Sequence, residues 1–236
     1  MATPQPVILL PPSEGKAAGG IGPAWAAGRM RDAALDTARR EVLRSARQAG
    51  CTPLRAATRP AIERYTGVLY RELTWATLSP GARRRGASQV RIVSGLWGLV
   101  APHDPIPSYR LKMSASLDEL GRLATWWRPR IAPVLAELTA GRVVWDLLPQ
   151  EHAAAMDWTS CSPRQRVTVR FLDTEGHAVS HWNKLLKGSL VRWILTERPT
   201  SPAAVGRFDH PLGYRLDERA SDLASPVATL VLRAGP

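Results

Sequence analysis

The sequence predicts an α+β fold: one domain over residues 1–236, with a mixed β-sheet surrounded by helices. Three observations predict it. Short apolar runs are separated irregularly by longer segments of helical periodicity, which favours a mixed sheet with helices around it. No internal repeat and no long linker divides the chain. With 44% hydrophobic and 22% charged residues, 236 residues can bury a sizeable core without a disulfide scaffold.

The elements follow in order. Val7-Ile8-Leu9-Leu10 reads as a strand that stops at Pro11-Pro12 and opens into the polar loop Ser13-Glu14-Gly15-Lys16. From Arg29 to Gln48, Met30, Ala34, Leu35, Ala38, Val42 and Leu43 recur at helical spacing, with Gly50 as the stop. Pro60 suits a helix first turn, and Ile62, Tyr65, Leu69 and Leu73 place one stripe on a helix over residues 61–73. Arg83-Arg84-Arg85, after Pro80-Gly81, reads as a solvated loop. Val90 to Val93 is a buried strand running into Ser94-Gly95-Leu96-Trp97-Gly98.

Prolines 105 and 107 keep residues 103–112 extended, because the residue before proline avoids the helical region. Leu117 to Leu138 is helical with interruptions near Pro129 and Pro133, and Val143 to Leu147 is a short strand. Residues 167–172 and 178–181 pair around the turn 173–176. Asn183 is the expected cap of a helix over residues 184–196. Residues 214–216 and 227–232 supply closing strands.

Composition narrows the function classes. Prolines 4, 6, 11 and 12 break the only apolar run near the start, so no signal peptide or membrane span is expected, and a cytoplasmic setting is. Cys51 and Cys161 lack the spacing of a zinc or redox motif and read as structural thiols; no metal and no cofactor is expected. A net charge of +12 creates a field that gathers nucleic acid or other anions. Nine tryptophans could stack bases, but core packing and helix interfaces are the expected use of most of them.

Lysine is the informative residue. Of 32 basic side chains only Lys16, Lys112, Lys184 and Lys187 are lysines; the other 28 are arginines. In a chain so biased to arginine, a retained lysine is a candidate for a place where a compact, titratable ammonium is needed, with chance survival of surface lysines as the competing reading. Lys184 and Lys187 share one face of a helix first turn, where positive charge is disfavoured unless an anion sits between them. A solvated helix face is the competing reading. The Ser13–Lys16 loop lacks the full phosphate-loop spacing, and is either an ordinary turn or a strand-end cluster of hydroxyl, carboxylate and ammonium suited to acid–base work. His181, just before that helix, stands near the expected anion site, as a structural histidine or a proton carrier.

These segments are recognisable together. Leu9 to Lys16, Tyr65 to Tyr70, Ser94 to Val100, Asp104 to Met113 and Ser180 to Gly188 resemble, in order, the blocks of the YaaA peroxide-stress family in its actinobacterial-like branch. The resemblance implies a cytosolic peroxide-response protein that limits iron damage, an α+β fold with a basic cleft, and DNA binding through a helix-hairpin-helix element. It places Ser13, Lys16, Tyr65, Gly67, Tyr70, Arg110, Lys184 and Lys187 around the cleft. Between residues 45 and 60 this chain departs from the family's hairpin, with Gln48-Ala49-Gly50-Cys51-Thr52-Pro53 in its place.

Two functions follow as expectations. In the first, Ser13, Lys16, Gly67, Tyr70, Tyr109, Arg110, Lys184 and Lys187 hold nucleic acid or a phosphate-bearing small molecule. In the second, an enzyme of glycosidase or transferase type acts on a nucleotide, nucleoside or small anion, with Glu14, Lys16 and Tyr65 as the catalytic candidates.

Overall fold

Val7–Leu10 is an interior strand of the sheet, and its four fully buried side chains show that it is covered on both faces. The computed structural model describes residues 4–51, 56–179 and 182–235. Seven strands form the main sheet: β1 Val7–Leu10, β2 Val90–Ser94, β3 Gly98–Val100, β4 Val143–Asp146, β5 Gln165–Leu172, β6 Tyr214–Leu216 and β7 Val227–Ala234. Their spatial order is β6-β7-β5-β4-β1-β2-β3. The five inner strands run parallel, and β3 and β6 close the edges antiparallel.

That order places a reversal at β1. The chain steps from β1 to β2 on one side, then returns through β4 to the other side. In open sheets the crevice beyond the carboxyl ends of strands at such a point is where ligands bind.

The helices are α1 Asp36–Gln48, α2 Ala61–Arg64, α3 Val68–Leu73, α4 Pro80–Gln89, α5 Leu123–Thr139, α6 Gln150–Ala153 and α7 Asn183–Glu197. Helices α3 and α4 both pack on α7, while α5 packs on β3 and on the turn leading into α1. One continuous cluster of buried apolar residues runs from Val7 to Leu232, the core of a single domain. No helix among the described residues is long and apolar enough to cross a membrane.

Several local readings need correction. The helix expected over 61–73 is two short helices, because Tyr65 is extended and Thr66-Gly67 turns the chain between them. The stripe survives the break, since Ile62, Tyr65, Leu69 and Leu73 are all buried. Arg83–Arg85 lie within α4 rather than a loop: Ser79 caps that helix by accepting from Ala82 N, and Pro80 fits its first turn. Helix α5 runs unbroken through Pro129 and Pro133 and begins at Leu123, after the two-residue strands Ser116–Leu117 and Gly121–Arg122. Asn183 is the first residue of α7 and not its cap, which is Trp182. Ser180 and His181 lie outside the described residues, as do residues 52–55 of the segment where the family's hairpin was sought.

Candidate functional site

Three strand ends converge at the reversal. Beyond β1 comes the loop Pro11–Lys16, beyond β2 the turn starting at Ser94, and beyond β4 Leu147, whose amide N donates to the Leu9 carbonyl. The loop is folded against residues 64–67. Thr66 N donates to Gly15 O and to Ser13 Oγ, Ala17 N donates to Arg64 O, and Lys16 bridges Tyr65 as a single antiparallel pair. Arg64, wholly buried, donates to the carbonyls of Ala17, Ala57 and Ile106 and lashes three chain segments together. Gly67 is required by space: a Cβ there would sit 2.6 Å from that of Ser13.

Behind the loop lies a line of hydroxyls. Tyr109 Oη is 2.7 Å from both Tyr65 Oη and Ser94 Oγ, and Tyr70 Oη donates to Pro11 O at 2.7 Å. The amides of Leu96 and Trp97 donate to Ser94 Oγ, filling its acceptor sites, so the serine proton goes to Tyr109. Tyr65 and Tyr109 share one further hydrogen bond in which either hydroxyl can be the donor. Burial pushes Tyr65 and Tyr70 well above the usual phenol range and Tyr109 up to about 12. All three stay protonated near neutral pH and act as fixed donors.

Lys16 stands over this line. Its ammonium donates to Ser13 O at 2.9 Å and lies 4.2 Å from the centre of the Tyr109 ring. Burial lowers it to about 8, against the opposing pull of Glu14. Among the four groups of this cluster it alone changes charge near neutrality. An arginine at 16 would stay charged, which is the physical reason lysine stands there. The reactivity of the Lys16 amine toward cyanate should therefore rise with a midpoint near pH 8. Peptide mapping over a pH series reads it; a midpoint near 10.5, the unperturbed lysine value, would mean that the side chain is solvated.

Glu14 sits among the scarce lysines. Its carboxylate is 2.7 Å from Lys112 Nζ, and the hydrogen bond from Lys112 holds it below the usual carboxylate range, with Lys184 and Lys16 adding to the effect. It is a fixed anion, not a proton donor. Both partners of the Glu14–Lys112 pair are exposed, so the pair positions charge more than it stabilises the fold. The 104–112 stretch reaches it because Gly95 leaves room: a Cβ at 95 would lie 2.8 Å from the Lys112 carbonyl.

The two lysines of α7 part company. Lys184 is exposed and faces Glu14's field, whereas Lys187 is buried and donates to Leu147 O at 2.9 Å, with burial lowering its pKa and Asp146 opposing. Three lysines thus gather at Glu14 and the fourth pins α7 to the end of β4. Arg110 is exposed, with its amide on Cys51 O and no side-chain partner among the described residues. Sequence reasoning left out Ser94 and Arg64 as site members. The turn after a buried strand signalled the first, and nothing in the helical pattern signalled the second. No group of His, Cys, Asp and Glu among the described residues could hold a metal ion.

Comparison with known proteins gives one consistent relationship. A UPF0246 protein of Streptomyces coelicolor is 37% identical over 91% of this chain and 93% of its own length. Another of Methylibium petroleiphilum is 35% identical over 72% of this chain and 68% of its own, and one of Dinoroseobacter shibae 32% over 72% and 66%. The family model described as "Peroxide stress protein YaaA" matches residues 29–220, which include Tyr65, Gly67, Tyr70, Tyr109, Arg110, Lys184 and Lys187 and begin after the Ser13–Lys16 loop. Matched over most of its length, the chain belongs to the YaaA peroxide-stress family.

Proposed function

We propose that this protein binds a phosphate-bearing anion, nucleic acid or a nucleotide, at the cationic cleft beyond β1, β2 and β4, as part of a cytoplasmic peroxide response. The observation that carries the reading is the charge at Glu14: three ammonium groups act on one carboxylate, and the surplus is open to solvent at Lys184. The reversal of strand order at β1, where open sheets bind their ligands, supports it independently.

The test is the anisotropy of a labelled single-stranded oligonucleotide over a salt series. Affinity should fall linearly on logarithmic axes, and Lys184→Ala should make that slope shallower by about one. Affinity independent of salt, or equal in wild type and the Lys112→Ala/Lys184→Ala double variant, would overturn the reading.

A second reading, an enzyme acting on a nucleotide, nucleoside or small anion, is favoured by Lys16 with its pKa near 8 beside the hydrogen-bonded Tyr65–Tyr109 hydroxyls. Loss of a general acid or base lowers turnover by roughly 10²–10⁴-fold. A metabolite screen should then reveal a turnover that falls by that much in Lys16→Arg and Tyr65→Phe. No turnover with any nucleotide or nucleoside leaves binding as the function.

A further inference from the structure

At the opposite end of the same strands lies a cavity of about 340 Å³, within the range of small-molecule sites. It opens below the starts of β1 and β4. Pro6, Val143, Trp145, Ile194 and Pro199 give it apolar walls. Its charged lining is one-sided: Arg85, Arg164 and Arg198 all face it, and no carboxylate does among the described lining residues.

The three guanidiniums differ in what holds them. Arg85 donates through Nε and Nη2 to the Leu195 carbonyl and so neutralises the exposed end of α7. Its remaining nitrogen atom is uncommitted. Among the described residues the Arg164 side chain, which is exposed, reaches only Thr200 O, at 3.5 Å, the limit of a hydrogen bond. Arg198 has no side-chain partner among the described residues, and its charge bears on Arg85. Capping one helix end requires a single arginine, so two cations remain without a counter-charge.

The backbone adds an independent observation. Arg198 follows the last residue of α7 in the left-handed conformation, φ 55° and ψ 56°, where glycine is the usual choice because a Cβ is strained. This chain keeps an arginine there. Glycine would close the helix with less strain; the arginine instead places an exposed cation at the cavity.

We propose that this cavity is a second anion site, separate from the cleft at Glu14, which takes a small phosphate ester of nucleoside-monophosphate size. The phosphate lies between Arg164 and Arg198, whose planar forks match its oxygens, and the organic part lies against the Val143 and Pro199 wall. The assignment does not depend on what the Glu14 cleft binds.

Calorimetry with adenosine 5′-monophosphate, inorganic phosphate and adenosine as separate probes tests it on the whole chain. The monophosphate should bind more tightly than about 1 mM, inorganic phosphate more weakly, and adenosine hardly at all. Measured in the Lys112→Ala/Lys184→Ala background, which silences the Glu14 cleft, Arg164→Gln and Arg198→Gly should each weaken the monophosphate roughly tenfold or more. Arg198→Gly separates the two possible uses of that side chain, because relief of strain should raise the melting temperature while affinity falls. In that background, no heat with the monophosphate, or equal binding in the arginine variants, would each overturn the assignment.

Discussion

Gly188→Ala should lower the melting temperature by about 2–8 °C, although alanine is the better helix former. An alanine Cβ at 188 would stand 2.4 Å from the Leu69 carbonyl oxygen and 2.8 Å from Glu72 Cβ, where α7 crosses α3. Neither neighbour can yield cheaply: the first is backbone, and the second is a β-carbon fixed to it. Overpacking of this kind costs about 1–3 kcal/mol or more, against a propensity gain of about 1 kcal/mol, so the clash wins. The helices cannot simply slide apart. Ser189 donates to Glu72, and Arg192 donates to the carbonyls of Leu73 and Thr74 and to two threonine hydroxyls, all along the same contact.

The consequence reaches the cleft, because α3 carries Tyr70 and α7 carries Lys184 and Lys187. Gly188→Ala should weaken oligonucleotide binding as well as stability. Gly206→Ala serves as the control, since a Cβ there meets only Leu216 Cδ2 at an ordinary 3.8 Å. Thermal melts of both variants decide the matter; equal melting temperatures would show that α3 and α7 are not packed this closely.

What the chain discloses before folding is uneven, and the reason is physical. Val7–Leu10, residues 90–93 and 143–147 announced themselves because strands buried on both faces are continuous apolar runs. Tyr65 was placed on the buried stripe of one helix. It is buried as expected but extended, since periodicity reports which side chains face inward and not whether the backbone turns at Thr66-Gly67. The scarcity of lysine pointed to four special positions, and three of them gather at Glu14. That Lys187 would turn inward to Leu147 while Lys184 stayed in solvent depends on how α7 lies against β4, a tertiary fact beyond any local pattern. The hydroxyl line through Ser94 is of the same kind, joining residues 65, 94 and 109 from three separate segments.

Arg39→Met should cost about 3–5 kcal/mol in urea unfolding, the largest loss expected of any single substitution considered for this chain. Position 39 falls among the apolar positions of α1, and arginine in an amphipathic helix reads as surface. In the fold it is wholly buried. Its guanidinium donates to the carbonyls of Asp32, Trp97 and Leu99 and to Asp36 Oδ1 at 2.8 Å, tying α1 to the β2–β3 hairpin. Methionine fills a similar volume, so the cost is electrostatic. It leaves the buried Asp36 carboxylate without its cation and three carbonyls with a lost donor.

A buried ion pair replaced whole by apolar groups is often close to neutral, because both desolvation costs vanish together. The Asp36→Leu/Arg39→Met double variant should accordingly be more stable than Arg39→Met alone, though short of wild type, since Gly28 N loses the Asp36 oxygen it donates to at 2.6 Å. If Arg39→Met unfolds within about 1 kcal/mol of wild type, or the double variant loses the sum of both single losses, the pair is not the buried, mutually compensated unit described here. The helix would then be held by its apolar face alone.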